Sequence, residues 1–408
     1  MNYLAAIFDL DGTLLNTLGD LSDAVNAAIV PRGLAAVSEA QVQARVGNGI
    51  RKLIERSMPE GTPDADLDDC LAVFRAYYNE HMMCRTHPYA GTLQTLQALK
   101  KAGMKIAVLS NKYDPAAKEL TAHFFPGLID LTLGERPNVP RKPDPTSCEE
   151  ILAALGVSKA QTIYIGDSAV DMNTAKNAGL DSIGVTWGFR SREVLTEAGA
   201  GRLADRPYEL VQLLLGADVS ALKTAFENHR FAFSYFDTKE QATAYLAEQV
   251  KGKRVGFGGS MTLVEMGAWE ALTQTADVHW HWKNEPHCMD AEVYITSANG
   301  LSATGEAVNI DGSCNRVAAS LYGAKTCFMV CGINKLEPNL ELAIQRAREV
   351  AAPRNAQRLQ MKTPCAADGK CHDCNSPERI CCSLVVHMRP PMSSKRFEIV
   401  LVGEPLGY

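Results

Sequence analysis

The stretch Ala5-Ala6-Ile7-Phe8-Asp9-Leu10-Asp11-Gly12-Thr13-Leu14 decides how the chain begins. An apolar run ending in a carboxylate reads as a buried strand meeting solvent at its carboxyl end. The period-2 alternation of a strand puts Asp9 and Asp11 on the same side of the chain as it leaves the sheet. Two carboxylates that close repel unless a divalent cation or a proton divides their labour. Asp9 then suits a nucleophile and metal ligand, and Asp11 a proton carrier that acts as general acid and then as base. An ordinary Asp-rich turn closed by Gly12 is the plain alternative for this stretch alone.

Working outward, short apolar runs alternate with helical patterns, which implies a parallel α/β sheet. Strands are expected at residues 4–10, 105–110, 128–134, 162–165 and 182–187. Between the first two lies a mostly helical insertion with periodic segments at 18–30, 39–46, 50–58 and 67–83, read as a cap over the first strand's active end. Gly216-Ala217-Asp218-Val219-Ser220 reads as a joint, and a second α/β pattern follows, with strands expected at 254–257, 291–296, 326–330 and 397–402. The expected division is a core of residues 1–15 and 84–215, a cap of 16–83, a linker of 216–220 and a second domain of 221–408. Its Cys-rich segment, 364–382, is expected to lack regular structure.

Composition limits the function. A chain of 408 residues has core material for two or three domains. A net charge of −6 argues against general nucleic-acid binding. No apolar run approaches membrane-spanning length, and the first strand starts too early for a signal peptide. Only Cys70, Cys84 and Cys148 of the twelve cysteines fall in the first half, and nine lie from Cys288 onward. That asymmetry suggests thiols of a cytoplasmic protein with a metal site near the end, rather than a disulfide framework.

Further polar clusters stand at the ends of the expected strands, where open α/β sheets place their sites. Ser110-Asn111-Lys112 ends the second, and the Ser110 hydroxyl can donate to a phosphoryl oxygen or cap a helix. Arg141-Lys142-Pro143-Asp144-Pro145 follows the third, and a Pro-flanked turn suits Lys142 to fixing a point charge near phosphate. Gly166-Asp167-Ser168 ends the fourth, with Asp171 one helical turn beyond Asp167. Oxygen ligands of this type suit Mg²⁺. Four such clusters in order resemble the motifs of the haloacid dehalogenase (HAD) superfamily of aspartyl-phosphate hydrolases, over roughly residues 1–215. The resemblance implies a Rossmann-like core with a helical cap and gives each residue a role. Asp9 is the nucleophile; Asp11 is the acid and base. Thr13, Ser110, Asn111 and Lys142 hold the phosphoryl group. Asp9, Asp11 (through its backbone carbonyl) and Asp167 hold Mg²⁺, and Asp171 supports them. Within the superfamily the chain is most similar to phosphoglycolate phosphatases, through Val46-Gly47-Asn48-Gly49-Ile50-Arg51-Lys52-Leu53-Ile54, Tyr89-Ala90-Gly91 and Ser110-Asn111-Lys112. Arg51 or Lys52 would then meet the carboxylate of a small phosphorylated metabolite when the cap closes; long cationic side chains on a helix that simply face water are the plain alternative. Related mutases usually carry Val in place of Thr13, so Thr13 favours hydrolysis.

From about residue 221 the chain resembles the lactate-utilisation (LUD) domain family. The segments that carry the likeness are Val255-Gly256-Phe257-Gly258-Gly259-Ser260-Met261-Thr262, Asn309-Ile310-Asp311-Gly312 with Asn315-Arg316, Gly332-Ile333-Asn334-Lys335, and the ending Val402-Gly403-Glu404-Pro405-Leu406-Gly407-Tyr408. The resemblance implies an α/β fold of the coenzyme A transferase and sugar-isomerase type, with a ligand-binding or redox role. Gly258, Gly259 and Ser260 read either as an anion cradle or as a tightly packed turn. Asp311, Asn315 and Arg316 form a polar group that binds a ligand or fixes a loop. Cys371-x-x-Cys374, with Cys365 and either Cys381 or Cys382, would supply four thiolates to Zn²⁺ or an iron–sulfur cluster; redox-paired cysteines are the alternative.

Overall fold

Alternate residues of the opening strand, Ala5–Phe8, enter two different cores. Ala6 and Phe8 pack with Ile106, Val108, Ile163 and Ile165 on one face, and Ala5 and Ile7 pack with Ala107, Leu109 and Tyr164 on the other. A strand buried on both faces is the mark of a parallel sheet covered by helices on each side. The computed structural model describes residues 3–47, 49–283 and 290–408, so Asn48 of the cap loop and Cys288 lie outside the described residues. The chain forms two compact units, Met1–Gly216 and Ala217–Tyr408.

The sheet of the first unit runs in the order Leu131–Glu135, Lys105–Tyr113, Ala5–Phe8, Thr162–Gly166, Asp181–Val185 and Arg202–Ala204, all parallel. Ala5 pairs with Lys105 on one side and Thr162 on the other, so three strands reach their carboxyl ends side by side. Between the first strand and Lys105–Tyr113 lie the cap helices Leu18–Ile29, Glu39–Arg45, Ile50–Glu55 and Asp64–His81. Leu21, Val25, Leu53, Ile54, Phe74 and Tyr78 of these helices join the same core cluster as the sheet. The buried Asp20 carboxylate accepts the backbone N–H groups of Arg85 and Thr86 at 2.9 and 2.8 Å, pinning the chain where it leaves the cap.

The second unit holds a six-stranded parallel sheet in the order Asp277–Trp280, Arg254–Phe257, Val293–Thr296, Thr326–Gly332, Arg396–Val402 and Ala232–Phe236. Beside it is a mixed four-stranded sheet, Leu336–Glu337, Gly300–Ser302, Ala307–Asp311 and Ser383–His387. The sequence pattern missed Ala232–Phe236, Asp277–Trp280, all of the small sheet, and Arg202–Ala204 in the first unit. The edge strand Ala232–Phe236 is only half-buried, so it lacks a continuous apolar run. Among the described residues, no helix is long and apolar enough to cross a membrane.

Candidate active site of the first unit and the cavity of the second

The carboxyl ends of the parallel strands bring Asp9, Asp11, Ser110, Asn111, Lys142 and Asp167 to one cavity of about 410 Å³. The Asp9 carboxylate accepts the N–H of Leu10 at 2.7 Å. Lys142 is nearly inaccessible, and its Nζ stands 2.8 Å from Asp9 Oδ1 and 2.7 Å from Asp171 Oδ1. Asp171 is fully buried and also accepts the backbone N–H and hydroxyl of Ser168 at 3.1 and 2.5 Å, closing a capping box on helix Ala169–Ala178.

Asp9, Asp167 and Asp171 each offer an oxygen, and these lie within 4.8 Å of one another; no other such group of three donors occurs among the described residues. One lysine cannot neutralise three carboxylates. Burial, then the charge of Asp171, pushes Asp9 up to about 7 against the pull of Lys142. Burial, then Asp171 and Asp9, raises Asp167 as well. Burial works against the Lys142 ammonium, but Asp171 and Asp9 outweigh it and hold Lys142 well above the usual lysine range. A hard divalent cation fits this all-oxygen donor set and supplies the missing positive charge.

Two glycines make room for Asp167. Gly12 has φ +83°, and a Cβ there would lie 2.3 Å from Asp167 Oδ2; a Cβ on Gly188 would lie 2.4 Å from both Asp167 Cβ and the Gly12 carbonyl oxygen. Asp167 Oδ2 accepts the N–H of Phe189 at 2.7 Å. Thr13 is 1% exposed and donates to Asp167 Oδ1 at 3.4 Å, so it stands behind Asp167 and does not line the cavity. The Asn111 amide takes the N–H of Lys142 at 2.9 Å and donates to the Lys142 carbonyl at 3.2 Å, so it holds the lysine's backbone.

Sequence reasoning gave no role to Lys112, Arg56 or Arg190, and all three line the cavity. The buried Lys112 donates to Asp11 Oδ1 at 2.8 Å, and its ammonium lies 4.8 Å from the ring centroid of Tyr78 in the cap. Burial works to lower the Lys112 pKa, but Asp11 and Tyr78 raise it overall. The period-2 spacing of Ser110 and Lys112 was the signal that could have found it. Arg56 Nη1 donates to the carbonyls of Arg45 and Gly47 at 2.7 and 3.2 Å. Arg190, from the core, donates to the carbonyls of Gln43, at 2.8 Å, and Val46. The expected cap residues are turned elsewhere: Arg51 pairs with Asp64 and Asp68, and Lys52 with Glu55, all at the exposed surface. Nearby acidic side chains satisfy both, so Arg56, rather than Arg51 or Lys52, is the cap cation at the cavity.

In the second unit, Gly259, Ser260, Asp311, Asn315 and Arg316 line a cavity of about 310 Å³. Gly258 and Gly259 answer to close packing. A Cβ on Gly258 would lie 2.6 Å from Thr296 Oγ1, and one on Gly259 would lie 2.8 Å from the Trp282 ring. Ser260 caps a helix of only five residues, Met261–Glu265. Arg316 donates to the Ser297 and Ile310 carbonyls at 3.2 and 2.7 Å, and to the side-chain oxygens of Asn309 and Asn299 at 2.6 and 3.2 Å, fixing the loops around the cavity.

The described residues give no support to the expected zinc or iron–sulfur site. Cys365, Cys371, Cys374, Cys381 and Cys382 bring no three ligand atoms together. Their sulfurs are used singly: Cys381 accepts from Arg379 Nε at 3.0 Å, Cys382 donates to the Arg379 carbonyl at 3.4 Å, and Cys365 lies 3.3 Å from the Thr363 hydroxyl. Arg379 Nη1 also donates to the Cys374 carbonyl at 2.6 Å, so a guanidinium organises this segment.

Two family models match the chain: haloacid dehalogenase-like hydrolase over residues 6–185 and LUD domain over residues 219–402. The phosphoglycolate phosphatase of Mesorhizobium japonicum is 33% identical over 197 residues, covering 46% of this chain and 85% of that protein. That of Rhodospirillum rubrum is 36% identical over 207 residues, covering 48% and 84%. A crystal structure described as an inferred phosphoglycolate phosphatase from Lactobacillus delbrueckii subsp. bulgaricus is 34% identical. It covers 53% of this chain and 100% of its own, with a TM-score of 0.51.

Proposed function

The chain belongs to the haloacid dehalogenase-like hydrolases through its first unit, and from that premise we propose that this unit hydrolyses a small phosphate monoester of the phosphoglycolate type. The single observation that carries the reading is the pair of lysine-held carboxylates at one cavity, Asp9 on Lys142 and Asp11 on Lys112. Asp9 attacks phosphorus in line and forms an aspartyl-phosphate. Asp11 gives its proton to the leaving alkoxide, then takes one from the water that opens the acyl phosphate. Lys112 keeps Asp11 aimed at both events. Ser110 and Lys142 take the phosphoryl oxygens, and Asn111 fixes Lys142 through its backbone. Asp9, Asp167 and the backbone of Asp11 would hold Mg²⁺, with Asp171 in support. The ion supplies the charge that lets a carboxylate meet an anionic phosphate. Arg56 spends only Nη1 on the cap loop, leaving Nε and Nη2 for a substrate carboxylate.

The test is phosphate release from 2-phosphoglycolate and a panel of small phosphate esters, with Mg²⁺. Release from 2-phosphoglycolate above the rest of the panel is expected. Interconversion of hexose phosphates without release would overturn the reading. The LUD domain is proposed to bind its own ligand.

A further inference from the structure

The second unit buries a lysine at the wall of its cavity. Lys335 ends the short turn Ile333–Lys335 that follows strand Thr326–Gly332, and it is 3% exposed. Its amine reaches Thr262 Oγ1 at 2.8 Å, Ser297 Oγ at 2.9 Å and the Ala298 carbonyl at 3.0 Å. None of these carries charge, and Lys335 forms no ion pair among the described residues. Lys335, Ser297 and Ala298 all line the cavity. Arg316 and Arg358 face it too, and among the described side chains that line it Asp311 is the one Asp or Glu. Arg358 lies over the Trp282 ring, 5.0 Å from its centroid. The space is small, cationic and partly aromatic.

We propose that this cavity takes a small carbonyl compound bearing an anionic group, and that Lys335 Nζ condenses with its carbonyl carbon to form an imine. The amine lone pair forms the C–N bond as the carbonyl π bond breaks toward oxygen. A proton passes from nitrogen to that oxygen, within reach of the Ser297 and Thr262 hydroxyls, giving a carbinolamine. Loss of water then leaves the C=N bond, with no redox change and no co-reactant. The electrostatic surroundings support a free amine. Burial first, then the charges of Arg346 and Arg316, lowers Lys335 to about 7, against the opposing Cys331 and Glu265. A lysine at its ordinary pKa of about 10.4 offers almost no lone pair at neutral pH.

The experiment uses the full chain with glyoxylate and cyanoborohydride at pH 7, followed by peptide mapping for a carboxymethyl group on each lysine. Lys335 should be labelled at least about tenfold faster than exposed lysines such as Lys223. Acetaldehyde, which has no anionic group, should label it more slowly, and Lys335→Met should remove that label alone. Labelling of Lys335 at the rate of exposed lysines overturns the imine. Equal labelling by acetaldehyde overturns the anionic substrate class. Because the wild-type map locates the adduct, the result stands even if the variant fails to fold.

Discussion

Lys142 and Lys335 are both buried lysines at the carboxyl end of a parallel sheet, yet their surroundings push them in opposite directions. Lys142 lies between two carboxylates and is held well above the usual range; Lys335 meets two hydroxyls and a carbonyl and is lowered to about 7. Burial opposes the ammonium in both, so the partners decide the outcome. The first lysine is a fixed positive charge, suited to holding a phosphoryl oxygen. The second has no carboxylate partner to hold its proton, so burial draws its titration down toward neutral pH.

The comparison breaks most visibly at Asp9. Asp9→Asn should lower phosphate release by about a thousandfold or more while circular dichroism stays native; retained turnover would end the covalent route. Lys142→Met leaves Asp9 and Asp171 facing each other without an amine, and kcat/KM should fall by roughly a hundredfold or more. Ser297→Asp makes the second lysine resemble the first. In the wild type, Lys335 labelling should rise with pH through about 7, as the ammonium gives up its proton. The variant should move that rise upward and cut labelling at pH 7 by about tenfold, since a neighbouring carboxylate favours the charged form. An unchanged pH profile would separate Lys335 reactivity from its partners. Arg56→Ala should raise KM for 2-phosphoglycolate by roughly tenfold with kcat nearly kept, and a phosphate monoester of similar size without a carboxylate should show no such rise. The smallest effect is expected for Arg51→Ala, with the melting temperature and KM both nearly unchanged, because its ion pairs are exposed and screened by water.

The sequence revealed most where a residue's type and its strand position agreed. Asp9, Asp11, Ser110 and Asp167 each stand where an apolar run gives way to polar residues, Lys142 stands in the Pro-flanked turn after the third expected strand, and the fold gathers them at one cavity. The cap helices were legible for a similar reason, since helical periodicity is local. Contacts between distant segments were less legible. No spacing tells that Arg51 meets Asp68 while Arg56 turns inward, or that Thr13 sits behind Asp167. The cysteine segment gained no support because Cys-x-x-Cys is a statement about sequence, whereas four-fold ligation needs convergence in space, which the described residues do not show. Lys335 was overlooked because the sequence alone could not show its burial without a carboxylate partner.

Arg56 and Arg190 grip residues 43–47, the end of helix Glu39–Arg45 and the two residues beyond it, only through main-chain carbonyls. Every residue type presents the same carbonyl, so the fastening does not depend on the side chains of this segment. The side chains at these positions of the cavity wall can therefore change without removing the hydrogen bonds that fasten it.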